Sequence, residues 1–178
     1  GYVAKGRMEE PMQILSVINK FFTQQKNVVK SSFSGKRALV TAGPTVEVID
    51  PVRYVSNRSS GKMGYAIAEA LRDKGAIVTL ISGPTHLSLP EGINVVKVES
   101  ADDMFQAVTE RFAKQDIVIK AAAVSDYTPM DILEHKLKKQ EGGLSVQFKR
   151  TKDILKYLGE NKTHQYLVGF AAETQNIE

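Results

Sequence analysis

Residues 37–64, RALVTAGPTVEVIDPVRYVSNRSSGKMG, contain the pattern that decides the fold of this 178-residue chain. A short β-rich run over residues 37–41 ends in Ala42-Gly-Pro44, which predicts a strand followed by a sharp turn. Residues 50–64 then lead directly into an amphipathic helix. A loop of this kind brings backbone N–H groups, hydroxyls, a lysine and a helix dipole to one point, which suits a phosphate group. The residues expected to contact phosphate or substrate are Gly43, Ser59, Ser60, Gly61, Lys62 and Met63.

Strands and helices continue to alternate after this loop. One apolar stripe predicts a helix closed by a C-terminal signal at Lys74 and Gly75. The stripe consists of Met63, Ala66, Ile67, Ala70 and Leu71. Residues 76–82, 94–98 and 116–122 are predicted strands, and Ser100 is predicted to cap a helix. Strands separated by helices imply right-handed βαβ units, so we expect an α/β, Rossmann-like, doubly wound and mostly parallel sheet.

Beyond Tyr127 the regular alternation stops. Residues 126–150 are predicted to leave the sheet as a basic loop-and-strand excursion with one alternating strand over residues 144–149. Because a lone strand has no partner in its own chain, we expect it to pair with a second copy in a homodimer. Thr151 is predicted to cap a short helix with Ile154, Leu155 and Leu158 facing inward, and residues 166–170 are a predicted last strand.

The first 35 residues have a different character. Residues 10–22 show helical spacing with Pro11 in the first turn, and residues 23–35 are polar and typical of a linker. We therefore expect two parts, a tail with a linker over residues 1–35 and the main domain over residues 36–178. Because the chain starts at Gly1 and its first helix belongs to no obvious domain, we expect it to be a piece of a longer protein.

The composition excludes several classes of protein. Hydrophobic residues make up 42% and charged residues 25%, which is typical of a globular domain with a sizeable core. No apolar run approaches the ~18 residues of a membrane helix and no signal peptide is present, so no membrane partner is expected. Zero cysteines exclude disulfides and thiolate chemistry, which fits a cytoplasmic protein. No metal site is expected, because His86, His135 and His164 lack ligand spacing.

Basic residues concentrate between residues 136 and 152, although the net charge is only +4. They are Lys136, Lys138, Lys139, Lys149, Arg150 and Lys152, against one acid, Glu141. Nucleic acid is the obvious alternative partner, but no aromatics are interleaved as stacking platforms, so none is expected. A nucleoside triphosphate needs only one or two of these side chains. A solvated charged loop is the other interpretation left open here.

Neither standard nucleotide motif is present. A dinucleotide dehydrogenase needs Gly-x-Gly-x-x-Gly after the first strand and an acid near the end of the second. Gly43 lacks that spacing, and the second strand ends in Ser82-Gly-Pro84. A Walker motif is excluded because Met63 occupies the position at which a serine or threonine hydroxyl would bind magnesium. Arg53 and Asn57 lie just ahead of the helix, where a reacting group could be held.

Six motifs in this order resemble the phosphopantothenate–cysteine ligase family and cover residues 36–178. They are Thr41-Ala-Gly-Pro-Thr45, Asp50-Pro-Val-Arg-Tyr54, Asn57-x-Ser-Ser-Gly-Lys-Met-Gly64, Ala121-Ala-Ala-Val-Ser-Asp-Tyr127, Lys136-x-Lys-Lys139 and Gly169-Phe-Ala-Ala-Glu-Thr174. The segment Gly6-Arg-Met-Glu-Glu-Pro11 resembles the end of the phosphopantothenoylcysteine decarboxylase that precedes this ligase in bacteria. The resemblance implies the ligase half of a bifunctional enzyme of coenzyme A biosynthesis, with FMN belonging to the decarboxylase domain alone.

The resemblance also implies a reaction, the joining of 4′-phosphopantothenate to L-cysteine with CTP. The carboxylate attacks the α-phosphate to give an acyl-cytidylate and pyrophosphate, and the cysteine amine then displaces CMP. Such activation requires neutralised phosphate charge and donors aimed at a developing oxyanion. Mg²⁺ is implied to arrive with the triphosphate, held mostly by phosphate oxygens and water.

By resemblance, Asn57 holds the acyl-cytidylate, Arg53 is needed for activity and Lys136 contacts the triphosphate. Asp126 matches the acid that recognises cytosine, whose exocyclic amine donates to a carboxylate. The other implied nucleotide-binding residues are Lys120, Ala121, Ala122, Lys152, Asp153, Ile154, Leu155 and Phe170. Tyr54 and Tyr127 are predicted to be packing residues.

Two departures from the family and two alternative functions bear on these expectations. Lys152 stands where the family often has proline, and the chain stops before the family's later lysine-rich loop. We therefore expect a C-terminally incomplete CTP-binding domain over residues 36–178. The alternatives are an NADP-dependent, short-chain-reductase-like enzyme on the same sheet, and a non-catalytic dimerisation module with residues 144–149 as its pairing edge.

Overall fold

The computed structural model describes residues 32–138 and 144–171, together with Met12, Gln13 and Ser16. The chain divides into two compact units, Gly1–Ser32 and Phe33–Glu178. The predicted helix over residues 10–22 lies almost wholly outside the described residues, as do most of the predicted linker, Lys139 and residues 172–174. Within the described part of the chain, no helix has the length and hydropathy needed to span a membrane.

A five-stranded parallel sheet forms the centre of the second unit. In spatial order its strands are β5 (Asn94–Lys97), β4 (Ile77–Ser82), β1 (Arg37–Ala42), β6 (Ile117–Lys120) and β9 (Tyr166–Gly169). All neighbouring strands in this sheet run parallel. The predicted α/β, doubly wound sheet is confirmed, and each strand's ends lie within about two residues of the predicted ones, the usual uncertainty of such boundaries.

Helices cover both faces of the sheet. Helix α1 (Lys62–Asp73) lies on one face, and helices α2 (Ala101–Phe112) and α3 (Ile154–Asn161) lie on the other. Side chains alternate along a strand, so Ala38 and Val40 of β1 pack towards α1 whereas Leu39 packs towards α2 and α3. Both faces of β1 are therefore buried, which explains its continuous apolar sequence.

The buried face of α1 is rotated from the predicted stripe. The buried residues are Gly64, Tyr65, Ala68 and Leu71, whereas Met63 and Ala66 are exposed. The reason is the close approach at Gly64, where an added Cβ would lie 2.5 Å from the Cβ of Ala42. The adjacent Tyr65 hydroxyl reaches the Ser82 hydroxyl at 3.1 Å, which also turns that side chain inward. The predicted inner positions Met63, Ala66 and Ala70, which is also exposed, are thus wrong, whereas Leu71 is buried as predicted.

The helix caps confirm one prediction and correct another. Ser100 caps α2 with a reciprocal capping box. Thr151 does not cap α3, because the cap is Asp153, whose carboxylate accepts the N–H of Lys156 at 3.0 Å. The Thr151 hydroxyl instead donates to the backbone oxygen of Ser125 at 2.7 Å. A tertiary hydrogen bond therefore occupies the side chain that local pattern assigned to the cap.

Residues 126–150 leave the sheet as predicted, but they form two short strands. Strand β7 (Tyr127–Pro129) pairs antiparallel with β8 (Phe148–Arg150) in the same chain. The prediction of one strand over residues 144–149 that lacks a partner in its own chain is therefore wrong. Only three residues pair on each side, and Pro129 weakens the local β pattern of β7, so the partner was not recognised.

A second antiparallel ribbon was not predicted. Strands β2 (Val46–Val48) and β3 (Tyr54–Ser56) flank a turn that contains the fully buried side chain of Asp50. The sequence suggested a loop here because of Pro51. Tyr54 on β3 and Tyr127 on β7 are 62% and 51% exposed, so their predicted packing role is wrong within the single chain.

Candidate functional site

The candidate site lies at the carboxyl ends of β1 and β6, where the strand order reverses. The chain passes outward from β1 through β4 and β5 and returns on the other side of β1 as β6. Beyond the sheet the two strand ends stay joined. The Ala123 N–H donates to the Gly43 oxygen at 2.9 Å, and the Thr45 N–H donates to the Ala123 oxygen at 3.2 Å. These bonds keep both loops at one edge of the sheet.

Two glycines bring the start of α1 against the end of β1. Gly43 and Gly61 have φ of 75° and 77°, a left-handed conformation that glycine adopts without steric cost. A Cβ added to Gly61 would lie 3.3 Å from the Gly43 Cα. A Cβ on Gly43 or Gly61 would lie 2.9 or 2.8 Å from the Thr85 Cγ2 methyl. The two backbones are therefore in contact, with Thr85 packed against both.

The start of α1 leaves several hydrogen-bond donors available. Gly61 is the N-cap, and the structure records no side-chain cap for it among the described residues. The Ser59 and Ser60 hydroxyls accept from the N–H groups of Gly61 and Lys62 at 3.4 and 3.5 Å, which are long hydrogen bonds. Lys62 is exposed. Uncapped first-turn amides, two hydroxyls and a lysine together suit an anion.

Asn57 connects this helix start to the end of β6. Its Nδ2 donates to the Ala123 oxygen at 3.0 Å. Because the amide nitrogen is engaged in this way, the amide oxygen is the acceptor that Asn57 presents to a ligand. The structure thus joins the loop before α1 to the loop that follows β6.

A cavity of about 370 Å³ opens beside the same strand end. It brings together five of the predicted nucleotide-binding residues, which are Lys120, Asp126, Lys152, Asp153 and Ile154. Its volume lies at the small end of the range for ligand sites. Across residues 32–138 and 144–171, no group of three histidine or acidic side chains is placed to hold a metal ion.

Thr151 fixes the wall of this cavity. Its N–H donates to the Asp126 oxygen at 2.9 Å, and its hydroxyl donates to the Ser125 oxygen at 2.7 Å. These bonds hold the backbone of Asp126 while its carboxylate stays exposed. This role of Thr151 was not predicted, because the residue also fits the local pattern of a helix cap.

The other predicted nucleotide residues lie around the end of β6. The Phe170 N–H donates to the Lys120 oxygen at 3.1 Å, and Leu155 packs on Gly169, where an added Cβ would lie 2.6 Å from Leu155 Cδ2. Ala121 and Ala122 are half-buried, and the Ala122 N–H donates to the Thr41 hydroxyl at 3.2 Å. Small side chains at this point leave the backbone accessible to a ligand.

Lys152 lines the cavity, but its charge is engaged elsewhere. Its Nζ lies 2.8 Å from Oδ1 of Asp102 and 4.8 Å from the centre of the Phe105 ring. The hydrogen bond from Lys152 holds the pKa of the Asp102 carboxyl below its usual value. The ammonium group therefore ties the residue just before the N-cap of α3 to α2.

Arg53 and Lys136 lie near each other, and neither is among the residues lining the 370 Å³ cavity. Arg53 Nε is 3.1 Å from Oδ2 of Asp50, and its Nη2 donates to the backbone oxygen of Leu137. Lys136 directly precedes Leu137 and is exposed. The structure thus joins Arg53 to the segment that carries Lys136.

Asp50 is the residue of this region to which the sequence analysis gave no role. Its buried carboxylate accepts the N–H groups of Val52 and Arg53, each at 2.8 Å, and that of Leu137 at 3.1 Å. Burial would raise the pKa of Asp50, but these donors and the Arg53 charge outweigh it and hold the pKa below its usual value. The Asp-Pro turn signal could have indicated it, because such an aspartate often accepts the N–H two residues on.

Comparison with known proteins identifies the family. Residues 33–178 match the family model of the DNA/pantothenate metabolism flavoprotein C-terminal domain. The chain is 53% identical to the Coenzyme A biosynthesis bifunctional protein CoaBC of Bacillus subtilis (strain 168) and 47% identical to that of Haemophilus influenzae. Both alignments cover 100% of this chain and 43% and 44% of the relatives, so the chain spans less than half of their length.

A solved structure agrees with this assignment. The crystal structure of the C-terminal domain of a Coenzyme A biosynthesis bifunctional protein CoaBC superposes with a TM-score of 0.74 at 51% identity. The alignment covers 84% of this chain and 70% of that one. The chain therefore belongs to the family of DNA/pantothenate metabolism flavoprotein C-terminal domains.

Proposed function

We propose that this chain carries a ligase activity that joins 4′-phosphopantothenate to L-cysteine with CTP in coenzyme A biosynthesis. Its family and the names of its relatives support the pathway. The observation that carries the proposal is the hydrogen bond from Asn57 to Ala123. This bond supports the proposal because it holds a polar side chain between the helix start proposed to bind phosphate and the strand end beside the cavity that Asp126 lines.

The phosphate of 4′-phosphopantothenate is assigned to the start of α1. Backbone N–H groups and a helix dipole attract a dianion there, and Lys62 adds a full charge. Gly43 and Gly61 bring the backbone close because neither carries a Cβ. The remaining proposed contacts at this point are Ser59, Ser60 and Met63.

CTP is assigned to the cavity beside β6. The exposed Asp126 carboxylate accepts from the exocyclic amine of cytosine, which provides the preference for CTP. Ala121 and Ala122 permit close approach of the nucleotide to the backbone, and Lys120 adds positive charge. Apolar contacts come from Ile154, Leu155 and Phe170, next to Lys152 and Asp153. Mg²⁺ would enter with the triphosphate, coordinated mainly by phosphate oxygens and water.

The reaction proceeds in two balanced steps. A carboxylate oxygen of 4′-phosphopantothenate bonds to the α-phosphorus of CTP as the bond to pyrophosphate breaks. The cysteine nitrogen then bonds to the acyl carbon, CMP departs and the nitrogen loses a proton. Asn57 holds the acyl-cytidylate, and its amide oxygen is free to accept from the attacking amine. Lys136 is proposed to neutralise the triphosphate.

We propose that the domain works as a homodimer. Large apolar side chains of β3, β7, β8 and the loop after β7 are exposed, which is unusual for a monomer and typical of an interface. They are Tyr54 at 62%, Val55 at 40%, Tyr127 at 51%, Met130 at 49%, Ile132 at 66%, Leu133 at 37% and Phe148 at 39%. A second copy covers this patch in the proposed dimer, and Lys136 in the same segment could then serve either copy's site.

The dimer is tested by sedimentation. We expect the parental protein to sediment as a dimer and Ile132→Glu to sediment as a monomer, because a charge in the interface core is costly to bury. Leu89→Glu is the control, since Leu89 is 55% exposed but lies outside the patch. A parental protein that stays monomeric at micromolar concentration would contradict the proposal.

The domain arrangement of the relatives extends the proposal. Residues 1–35 are assigned to the tail of a preceding FMN-dependent decarboxylase domain and its linker, and residues 36–178 to the CTP-binding ligase domain. A cytoplasmic location is proposed from the cysteine-free sequence.

The ligase proposal is tested with Asn57→Ala in the longest natural form of the protein. The variant should still release pyrophosphate and accumulate acyl-cytidylate without cysteine, whereas amide formation should slow by on the order of 10²–10³. Mass spectrometry follows both products. Asn94→Ala, at an exposed asparagine of the edge strand β5, is the matched control. Amide formation by Asn57→Ala at the parental rate would exclude the assigned role.

A further inference from the structure

The segment that carries Lys136 has no regular structure. Residues 131–138 form neither helix nor strand, and all their side chains are exposed except that of Leu137, which is half-buried. The described hydrogen bonds from its backbone to the rest of the domain all go to the turn between β2 and β3. The Leu133 N–H donates to the Ile49 oxygen at 3.0 Å, and the remaining ties involve Leu137. The position of Lys136 therefore depends on few contacts.

Asp50 and Arg53 hold both polar groups of the Leu137 backbone. The Leu137 N–H donates to Oδ2 of Asp50 at 3.1 Å, and the Leu137 oxygen accepts from Nη2 of Arg53. The Arg53 Nε also lies 3.1 Å from the same Asp50 oxygen. Two joined side chains thus hold the backbone of one residue at both its N–H and its C=O group.

Asp50 is itself fixed in place. Its side chain is fully buried, and its other oxygen accepts the N–H groups of Val52 and Arg53 within the turn between β2 and β3. A buried, multiply hydrogen-bonded carboxylate is a rigid attachment point, because any displacement breaks several bonds together. Asp50 and Arg53 together are called the clamp. The clamp therefore holds the segment at Leu137 in a fixed position relative to the β2–β3 ribbon.

We propose that Asp50 and Arg53 are positioning residues that hold the backbone at Leu137 and so determine where the Lys136 ammonium group lies. The inference rests on the proposed function, in which Lys136 faces the triphosphate. It gives Arg53 a route to influence the reaction without contact with the reactants. It also assigns a role to Asp50, which the ligase proposal does not use.

Two variants loosen the clamp to different degrees. Asp50→Asn keeps the size of the side chain and one acceptor oxygen for the turn. If its amide nitrogen replaces the other oxygen, it faces two donors, the Leu137 N–H and the Arg53 Nε–H, and both bonds are lost. Arg53→Lys keeps the positive charge and every backbone N–H bond that Asp50 accepts. It removes the planar guanidinium, whose Nε reaches Asp50 while its Nη2 reaches the Leu137 oxygen. This second variant keeps the test valid if Asp50→Asn fails to fold.

Limited trypsin digestion tests the clamp independently of the reaction. Cleavage after Lys136 and Lys138 should accelerate on the order of tenfold in Asp50→Asn and less in Arg53→Lys, because cleavage follows the population of the opened segment. Asp131→Asn removes an exposed carboxylate of the same segment and should match the parental protein. Cleavage after Lys156 in α3 reports global unfolding and should accelerate less than cleavage after Lys136 and Lys138 in each of the two variants. A parental cleavage rate in both clamp variants would overturn the inference.

Steady-state kinetics then test whether the clamp acts through Lys136. Asp50→Asn and Lys136→Gln should each raise the KM for CTP, and the double variant should match Lys136→Gln alone. Effects of Asp50→Asn and Lys136→Gln that multiply in the double variant would overturn the inference. An unchanged KM in Lys136→Gln would instead refute the proposed role of Lys136, and the digestion result would still decide whether the clamp exists.

Discussion

Two helical glycines should respond in opposite ways to the same substitution. An added Cβ at Gly64 in α1 would lie 2.5 Å from the Ala42 Cβ and 2.9 Å from the Thr41 oxygen. These neighbours belong to β1, which is buried and paired on both sides, so they cannot move away. An added Cβ at Gly159 in α3 would meet nothing within 4 Å.

The expected magnitudes follow from these distances. Both Gly64→Ala and Gly159→Ala gain helix propensity of roughly 1 kcal/mol, because alanine restricts the unfolded chain more than glycine does. Gly64→Ala additionally overpacks the helix against β1, which costs about 1–3 kcal/mol. Because the propensity term cancels between the variants, Gly64→Ala should be the less stable of the two by about 1–3 kcal/mol. For a domain of this size, each kcal/mol shifts the melting temperature by about 2–4 °C.

Urea denaturation measures this difference, provided that the slope m is the same for both variants. A Gly64→Ala protein as stable as Gly159→Ala would refute the close packing of α1 on β1. The kinetics provide a second test. Displacement of α1 moves the amides near Gly61 away from Gly43, so the KM for 4′-phosphopantothenate should rise in Gly64→Ala and stay unchanged in Gly159→Ala.

Three further predictions concern pH, helix caps and the charge of Lys152. The pKa of Asp50 is lower in the folded chain than its usual 3.8, so its stabilising effect is present above that value and is lost as pH falls through the lowered pKa. The difference in unfolding free energy between the parental protein and Asp50→Asn should thus stay constant from about pH 8 to about pH 5 and become smaller below about pH 3.8. A difference that already becomes smaller near pH 6 would contradict this prediction. Ser100→Ala should lower stability by about 1 kcal/mol in thermal denaturation, whereas Ser60→Ala should have a much smaller effect, because only Ser100 caps its helix. Lys152→Met should lower the free energy of unfolding by no more than about 1 kcal/mol, because its partner Asp102 is solvent-accessible. This loss of stability should become smaller in high salt, and a loss that does not depend on salt would exclude an electrostatic origin.

Much of the fold was predictable because its determinants are local. Apolar runs identified the five strands of the sheet, and Ser100 with acids in the first turn identified the start of α2. The glycine-rich start of α1 was also predicted from local pattern alone, and anion binding there stays a prediction. These features depend on residues within one or two turns of each other, where propensity and capping act directly.

The failures occur where a distant contact outweighs a local preference. Thr151 fits a cap by pattern, but its hydroxyl bonds to Ser125, so Asp153 caps the helix. The ribbons β2–β3 and β7–β8 depend on pairing between short segments whose own pattern is weak. Tyr127 was expected to pack inside and lies exposed, because burial depends on which surfaces meet.

The sequence alone determined the order along the chain of the five sheet strands and the three helices α1 to α3, the position of the glycine turn after β1 and the donor-rich start of α1. Only the tertiary structure decided that the two sides of the site meet, through the bond from Asn57 to Ala123. It also decided that the Asp50 carboxylate accepts a hydrogen bond from the N–H group of Leu137, 87 residues further along the chain. The physical reason is the separation along the chain over which each kind of interaction acts. Backbone propensities and caps act over a few residues, whereas the strand order and the packing of α1 against β1 determine which distant groups come within hydrogen-bonding distance.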